Sequence, residues 1–420
     1  MSFVTPAAAA QHCGMPKPTA MPLDDITHPT AMTESRRVVD RDSKFAALAL
    51  ALALPADTVL YLLLPMYAEQ FGVTLAQAGL LLAANRLVRI VGYGFVARFY
   101  ARHGDRLTCT MAVVAAAVCG VGYASLSGLW ALLPLRLLWG LSFAALNLST
   151  QVLATADPVG AAKRSGRSRA FTALGPVMAL PLAGLLAYAY GPRPVFWILA
   201  AAALLGLLVT RQLSRHHQPA PAKKRRGLKR PGSLDVWSFL EGFTLDGLFI
   251  IGLSYLGSDL LPGGAVVMAG TLLAVRYLGE IVLSPLGGKL AERFGAETVL
   301  VTLSLVTSAT LIGFGLGWFW SSAAAIVVLR ALQLPLLAPI VAHRTPGPER
   351  VHALAARSVW RDIGAGTGPL MAGLLLPFMS PAWLYSVPAL LLAWAAIAVA
   401  FGRQGAAPDE NLNQQAQTRG

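Results

Sequence analysis

The sequence predicts an all-α polytopic membrane protein, and its composition and segment lengths lead to this fold class. Hydrophobic residues make up 55% of the 420 residues and charged residues only 13%, against about 25% charged residues in a typical soluble domain. So few charges leave too little polar surface to cover a globule of this length. Apolar stretches of about 20 residues recur along the chain, which suits a bilayer core about 30 Å thick. A soluble enzyme, a secreted module and a disordered protein are therefore disfavoured.

Charge and turn signals divide the apolar part of the chain into twelve predicted membrane-spanning helices. The first six lie at 45–66, 76–97, 107–127, 129–154, 170–190 and 194–211, and the last six at 236–256, 264–287, 297–317, 321–343, 353–378 and 381–402. The predicted domains are a cytoplasmic N-terminal tail (1–44), a six-helix bundle (45–211), a basic cytoplasmic linker (212–233), a second six-helix bundle (234–402) and a cytoplasmic C-terminal tail (403–420). The basic run of the linker is alternatively a localisation signal or a patch for anionic lipids.

The charges of the loops predict the orientation in the membrane. Odd-numbered loops contain a single basic residue, Arg193, whereas Arg211–Arg230 alone contains eight. Lysine and arginine concentrate in cytoplasmic loops, so we expect an integral protein of the cytoplasmic (inner) membrane with both termini in the cytoplasm. The net charge of +14 is then explained without nucleic acid as a partner. The first 44 residues lack the apolar core of a signal peptide, and three cysteines cannot build a disulfide framework.

The two halves of the chain resemble each other. Ala78–Arg106 aligns without gaps on Ala269–Glu297 at an offset of 191, with ten identities in 29 positions. Asp57 recurs as Asp246 at an offset of 189. Similar offsets over several helices indicate two pseudo-symmetric six-helix bundles related by duplication. In transporters built from parallel repeats, the substrate binds between the bundles near the middle of the membrane.

A loop motif after the eighth predicted helix carries a family resemblance. Its residues, Gly288-Lys-Leu-Ala-Glu-Arg-Phe-Gly295, resemble the Gly-x-Leu-Ala-Asp-Arg-x-Gly signature of the major facilitator superfamily. The resemblance extends over about residues 45–402 and implies the major facilitator fold, of the type found in antiporters that exchange drugs or metabolites for protons. In this family the loop latches the two bundles together through charge and helix-end contacts.

The resemblance implies a set of latch and gating residues. In the first copy of the loop Ala101 replaces the family's acid, so we expect the second copy to carry more of the latch. The latch residues of the two copies are Arg102, Gly104, Arg106, Gly288, Glu292, Arg293 and Gly295. A Gly-Pro pair in helix 5 resembles an antiporter motif, although the glycine pair that usually follows is missing. This pair and its repeat in helix 11 are either gating elements or simply kinks: Gly175, Pro176, Gly368 and Pro369.

Ionisable residues in the middle of membrane helices predict ion pairs or a wet cavity, because each costs at least about 2.5 kcal/mol at the bilayer centre. Asp57 is the first candidate for a protonatable carboxylate, and its repeat partner Asp246 is the second; each is alternatively an acid in a permanent ion pair. Arg136 begins an Arg-x-x-x-Gly pattern similar to that of proton-coupled members, which implies a coupling role. With Glu280 these residues form the predicted proton-coupling set.

Other polar residues of the central helices predict the substrate cavity. They are Tyr61, Asn85, Arg86, Arg89, Asn147, Arg276, Arg330 and Gln333. Basic groups outnumber acids among the central residues, which favours an anionic or zwitterionic cargo because guanidinium groups suit carboxylates and phosphates. Arg89 and Glu280 occupy repeat-related positions, so one hypothesis is an ion pair across the bundles that is made and broken during transport. The alternative is a pair between Glu280 and Arg276 within one helix.

Three functions fit these observations. The first is proton-coupled export of a small organic compound by alternating access. The second is proton- or ion-coupled uptake of an organic anion, and the third is a transport-like receptor or assembly protein without flux. The sequence has no Walker motif and no nucleophile–base set, so we expect neither an ATP-driven pump nor an enzyme, and neither a cofactor nor a metal. The expected partners are a small-molecule substrate, protons and the lipid bilayer, and the expected state is a monomer.

Overall fold

A computed structural model describes residues 29–214, 231–250, 265–375 and 378–401, and these ranges contain helices and no strands. The α-helices are α1 (Pro29–Ala53), α2 (Pro55–Met66), α3 (Leu75–Ser125), α4 (Leu129–Ala154), α5 (Ala161–Tyr190), α6 (Pro192–Thr210), α7 (Ser233–Glu241), α8 (Ala265–Phe294), α9 (Ala296–Gly315), α10 (Phe319–Gln333), α11 (Leu337–Arg344), α12 (Arg350–Leu375) and α13 (Pro381–Phe401). A 3₁₀ turn follows α2 at Ala68–Phe71, and a π-helical turn continues α7 at Gly242–Leu248.

Local sequence explains where several of these helices begin. Helices α2 and α6 begin at Pro55 and Pro192, where the missing N–H of proline is harmless because the first turn has no acceptor for it. Helix α3 begins with a capping box. The hydroxyl of Thr74 accepts a hydrogen bond from the Gln77 N–H, and the Gln77 side chain accepts one from the Thr74 N–H.

Eight helical stretches among the described residues are long and apolar enough to cross a membrane. One of them, Ala76–Ser125, has 50 residues and would be about 75 Å long as a single helix, which is far more than a bilayer core. Gly104 divides it into two membrane-length parts, because its φ of 74° is accessible to glycine and breaks the helical path. Gly295, with a φ of 86°, separates α8 from α9 at the repeat-related position. We call the end of the bundle that contains Gly104 and Gly295 the basic end.

Most predicted segments coincide with observed helices, but several boundaries are wrong in the same direction. Helix α1 begins at Pro29 rather than at 45, and Asp42, which falls in the predicted N-terminal tail (1–44), is buried and accepts a hydrogen bond from the Ser214 N–H. Helix α5 begins at Ala161 rather than at 170, and α8 continues to Phe294 rather than 287. Polar residues lengthen these helices beyond the apolar core of the membrane. Most of the predicted linker lies outside the described residues.

The two halves of the protein meet through helices on both sides of a central cavity. Helix α5 packs against α8, and α3 packs against α12, whereas the remaining contacts of α1–α6 and of α7–α13 are mostly within each half. Near the basic end the α5–α8 contact is very close: a Cβ on Gly166 would lie 2.5 Å from the Ser284 carbonyl oxygen, and one on Gly288 would lie 2.5 Å from that of Ala162. The backbones of the two halves therefore touch here, and the basic end is closed.

Candidate functional site

A cavity of about 740 Å³ lies between the two halves and receives residues from both. Its charged lining residues among the described ones are Asp57, Arg86, Arg89, Arg169, Glu241, Asp246, Arg276, Arg361 and Asp362. A cavity of this size is in the range that holds small organic ligands. Its position between the halves agrees with the site predicted from the sequence repeat.

The N-terminal half contributes one buried ion pair to this cavity. An Arg136 guanidinium nitrogen lies 2.5 Å from Asp57 Oδ1, and the Arg136 side chain is fully buried. Asn85 donates to the same oxygen at 3.2 Å, and Arg136 Nε donates to the Leu81 carbonyl at 3.0 Å. The carboxylate of Asp57 is therefore held by a cation and an amide of its own half.

The C-terminal half contributes a larger network centred on Asp246. Its Oδ1 lies 2.5 Å from an Arg330 nitrogen and 3.4 Å from an Arg276 nitrogen, and its Oδ2 lies 2.6 Å from an Arg361 nitrogen. Arg330 also pairs with Glu280 at 3.1 Å, and Arg361 pairs with Glu241 at 2.8 Å. Three arginines and three carboxylates neutralise one another in this network.

The two clusters occupy repeat-related positions. Asp57 corresponds to Asp246 at an offset of 189, and Arg136 corresponds to Arg330 at an offset of 194; each aspartate lies 2.5 Å from its arginine. Asn85 corresponds to Arg276, and both side chains contact Oδ1 of their aspartate. The duplication therefore left the same ion pair in each half, with a neutral amide beside it in one half and a charged guanidinium in the other.

Among the described residues one ion pair joins the two halves, and its partners differ from those of the sequence hypothesis. Arg89 on α3 lies 3.1 Å from Asp362 on α12, and both side chains are mostly buried. In this structure the alternative hypothesis holds, because Glu280 pairs with Arg276 of its own helix at 3.6 Å and with Arg330 at 3.1 Å, and Arg89 contacts Asp362 instead. Arg89 lies 15 residues before the helix break at Gly104, roughly 22 Å along the helix. The pair is therefore deep in the membrane.

Two cations of the cavity have no carboxylate within ion-pairing distance among the described residues. Arg86 donates to the carbonyl of Ala365 at 3.0 Å across the interface between the halves. Arg169 lines the cavity from α5 and has neither a hydrogen bond nor an ion pair to the described part of the chain. Because the other charged lining residues are paired, the cavity carries a surplus of positive charge at these two arginines.

The structure also locates the other residues predicted for the cavity. Tyr61, Asn147 and Gln333 line it, and each makes a hydrogen bond within its own half: to the Leu82 carbonyl, the Tyr93 hydroxyl and the Thr307 hydroxyl, respectively. Arg330 does not belong to the lining residues, so its predicted place in the cavity is corrected. It lies behind Asp246, where its two ion pairs bury it.

The loop motif of the second copy contacts the opposite half at the basic end. Gly288 packs on the backbone of Ala162, and Oε1 of Glu292 accepts a hydrogen bond from the Lys163 N–H at 3.3 Å. Gly104 and Gly295 provide the breaks at which the helices end. The other motif arginines, Arg102, Arg106 and Arg293, each lie two residues from one of these breaks. Their latch role stays a prediction.

The two Gly-Pro pairs lie where helices of one half approach each other closely. A Cβ on Gly175 would lie 1.9 Å from the Ala51 carbonyl oxygen, and one on Gly368 would lie 2.4 Å from that of Phe243. Pro176 and Pro369 follow inside their helices. Both glycines therefore permit backbone contact between helices, a packing role that the sequence did not predict; a gating role stays a prediction.

The sequence profile of the Major Facilitator Superfamily matches residues 46–261 and again residues 238–419. The chain belongs to the major facilitator superfamily. Members are transporters and not enzymes, so the protein is an integral membrane transporter, as predicted. Two overlapping matches agree with the duplicated architecture and confirm the predicted fold class.

Relatives and solved structures of this superfamily agree with the assignment. Multidrug resistance protein MdtG of Citrobacter koseri is 26% identical over 341 residues, which cover 73% of this chain and 81% of that protein. MdtG of Escherichia coli K12 matches over the same shares. The human organic anion transporter MFSD10 superposes with a TM-score of 0.71 at 16% identity, covering 86% of this chain and 99% of that one. FucP in its outward conformation gives 0.65 at 17% identity, covering 85% and 97%.

Sequence reasoning missed four charged residues of this superfamily member's cavity. The predicted helices begin at 353, 236 and 170, which puts Arg361, Asp362 and Glu241 toward helix ends, where long side chains reach the headgroups at little cost, and puts Arg169 in the basic loop before helix 5. Helix α12 begins at Arg350, so Arg361 and Asp362 lie almost halfway along it. A prediction that begins each helix after the preceding turn glycine, rather than at the first apolar residue, places these four residues inside their helices.

Proposed function

We propose that this transporter moves a small organic anion across the cytoplasmic membrane by alternating access, as an exporter that exchanges its cargo for protons. One observation carries the choice of an anion: Arg86 and Arg169 line the cavity with no described carboxylate within ion-pairing distance. Buried cations without partners are costly, and an anionic cargo would supply the missing charge. Guanidinium groups pair well with carboxylate, sulfonate and phosphate groups.

The cavity also has an apolar component that suits an organic cargo. Leu54, Phe143, Leu180, Ile250 and Leu337 line it together with the charged residues. An amphiphilic anion can bury its hydrocarbon part against these side chains, each buried CH₂ contributing about 0.8 kcal/mol. Affinity for the hydrocarbon depends little on its shape, so several related compounds could share the site.

Names of relatives support export and support an anion separately. The similar bacterial proteins are named for multidrug resistance, which implies outward transport in those proteins. A structurally similar human protein is named an organic anion transporter. With the positive-inside rule, the basic end of this chain faces the cytoplasm in the inner membrane, and both termini lie on that side. We propose that the ion pairs of Asp57, Asp246, Glu280 and Arg136 stabilise the helix packing within each half, in place of the proton coupling predicted for these residues.

A second candidate is uptake of an organic anion together with a proton. The surplus of arginine in the cavity favours it as much as export, because the charge of the site does not set the direction of transport. The direction of transport depends on whether the proton and the cargo bind in turn, as in an exchanger, or together, as in a symporter. Import predicts that a medium component stays unconsumed when the gene is deleted.

Metabolite profiling tests the proposal in cells. Untargeted profiles of cells and of spent medium are compared for strains with the gene deleted and overexpressed. We expect a compound with a carboxylate, sulfonate or phosphate group to accumulate in the deletion strain and to disappear from its medium. Complementation with an Arg169→Gln variant should restore little of the export, whereas the exposed neighbour variant Arg167→Gln should restore it. Accumulation of a cationic compound would contradict the assignment of an anion.

A further inference from the structure

The Arg89–Asp362 pair is the described ion pair that crosses the cavity interface at mid-membrane depth. We propose that Asp362 is the group that takes up and releases the coupled proton, and that its charge holds the two halves together while the basic end is closed. This inference rests on the proton coupling of the proposed function, and it replaces Asp57 and Asp246 as the exchanging carboxylates.

Within the described part of the chain a single cation contacts Asp362, and this cation, Arg89, belongs to the other half. Its neighbour Arg361 points instead into the C-terminal network, where it contacts Asp246 and Glu241. Adjacent residues of a helix project about 100° apart, so α12 presents its arginine to its own half and its aspartate to Arg89. A relative movement of the halves must therefore separate Asp362 from its counterion.

The second oxygen of Asp362 lacks a donor. Oδ2 is buried and accepts no hydrogen bond from a described residue, while Oδ1 contacts Arg89. A buried charged acceptor without a donor is penalised. A proton on Oδ2 would remove this charge and turn the acceptor into a donor, so the position is suited to proton uptake.

Several charged or titratable groups face Asp362 from the helices around it. Arg86 and Arg89 on α3 and Arg361 on α12 favour its ionised form, and Asp246 of the π-helical turn opposes it. Tyr93 on α3 also lies near, between Asn147 and Ser358. The opposing influences leave Asp362 responsive to small movements of Arg89.

The other buried carboxylates are poorly placed for exchange. Asp57 is paired at 2.5 Å with a fully buried arginine of its own half, and Asp246 is contacted by three arginines. These partners move together with the aspartates when the halves rotate as rigid bodies. Their ion pairs therefore stay intact during the movement, so the protonation of these aspartates is not linked to the movement of the halves.

The proton step is simple. A proton that enters through the cavity binds to Oδ2 of Asp362, the carboxylate becomes a neutral carboxylic acid, and the Arg89 guanidinium keeps its charge beside the Phe143 ring, 4.6 Å away. The electrostatic attraction between the halves is lost, and the equilibrium shifts away from the state with the closed basic end. Release of the proton restores the ion pair.

Spin-label distances test this inference without any cargo, so a failure of the anion assignment would not affect the result. Labels are attached to Val159→Cys and Lys289→Cys in a background of Cys13→Ser, Cys109→Ala and Cys119→Ala, and distances across the basic end are measured by double electron–electron resonance in nanodiscs. From about pH 8 to about pH 5, the ratio of open to closed molecules should rise about tenfold in the parent, equivalent to about 1.4 kcal/mol.

Three variants decide the outcome. Asp362→Asn should give a high open fraction at every pH, and Asp362→Glu should keep a pH-dependent distance, which also shows that the position tolerates substitution. Asp57→Asn should keep the parent's pH dependence. Folding is checked by size-exclusion chromatography. The proposal is overturned if the parent does not respond to pH, if Asp362→Asn responds like the parent, or if Asp57→Asn abolishes the response.

Discussion

Asp57 and Asp246 occupy repeat-related positions, and each lies 2.5 Å from an arginine of its own half. The duplication thus preserved an ion pair in the core of each bundle and changed its surroundings. Around Asp57 the second partner is an amide, whereas Asp246 is surrounded by three guanidinium groups. The halves are therefore similar in architecture and unequal in charge, with more charged groups around Asp246 than around Asp57.

Removal of one partner of the N-terminal pair should destabilise the protein strongly. Arg136→Gln leaves the buried Asp57 carboxylate without its cation, which we expect to cost about 3–5 kcal/mol of unfolding free energy. The double variant Asp57→Asn with Arg136→Gln removes both charges and should recover at least half of that loss. Unfolding in detergent titrations measures both. Additive losses in the double variant would show that the pair does not act as a unit.

The corresponding change in the C-terminal half should be more harmful. Asp246→Asn removes the one carboxylate that Arg276, Arg330 and Arg361 all contact, so three buried guanidinium groups lose an ion pair and share only two carboxylates. We expect a larger loss of thermal stability than for Asp57→Asn, which leaves a single cation unpaired. Melting of the two purified variants in the same detergent provides the comparison. Equal losses would mean that the Asp246 network redistributes its charges without cost.

The two cavity arginines that have no carboxylate partner among the described residues should control affinity for anions. Arg86→Gln and Arg169→Gln each remove a charge-assisted contact worth about 1.5–3 kcal/mol, so each should raise KM for a transported anion roughly tenfold or more. The matched controls are Arg98→Gln on α3 and Arg167→Gln on α5, both exposed outside the cavity. Unchanged KM in the two cavity variants would remove these arginines from the binding site.

Close packing at the basic end predicts the effect of a small substitution. In Gly288→Ala the new Cβ would meet the Ala162 carbonyl oxygen at 2.5 Å, so the two halves cannot close there without a shift. We expect faster alkylation of a cysteine introduced at Ser165, a buried cavity residue, by an impermeant maleimide in inside-out vesicles. Gly279→Ala on the same helix is the control, because its Cβ would meet nothing closer than 4.0 Å. Equal alkylation rates in the two variants would argue against the closed basic end.

The sequence alone was sufficient for the fold class, and several residues that it indicated, including Asp57, Arg86 and Arg276, line the cavity of the structure, while their roles stay predictions. Hydropathy and loop charge indicated a polytopic helical bundle, and the repeat indicated that Asp57 and Asp246 are equivalent. Pairing across the bundles could not be predicted, because the repeat relates Arg89 to Glu280 by symmetry, whereas the contact between the halves brings it to Asp362. Symmetry-related positions lie in similar places within each half and need not touch each other.

Helix boundaries explain the other omissions. Hydropathy detects the apolar core of a membrane helix, but it does not detect polar turns that extend the helix at its end. Arg169 was therefore placed in a loop, although α5 begins eight residues before it at Ala161. The same error placed Asp362 near a helix end and hid its depth.

The most direct test of anion transport uses purified protein in proteoliposomes and probes of permanent charge. Fluorescein disulfonate is the anion and ethidium is the cation, so that neither is redistributed by its own protonation. With an acidic lumen we expect accumulation of the anion by proton exchange, little movement of ethidium, and loss of anion uptake in Arg169→Gln. Accumulation only with an acidic exterior would indicate symport. Transport of ethidium without the anion would contradict the central claim that this cavity carries organic anions.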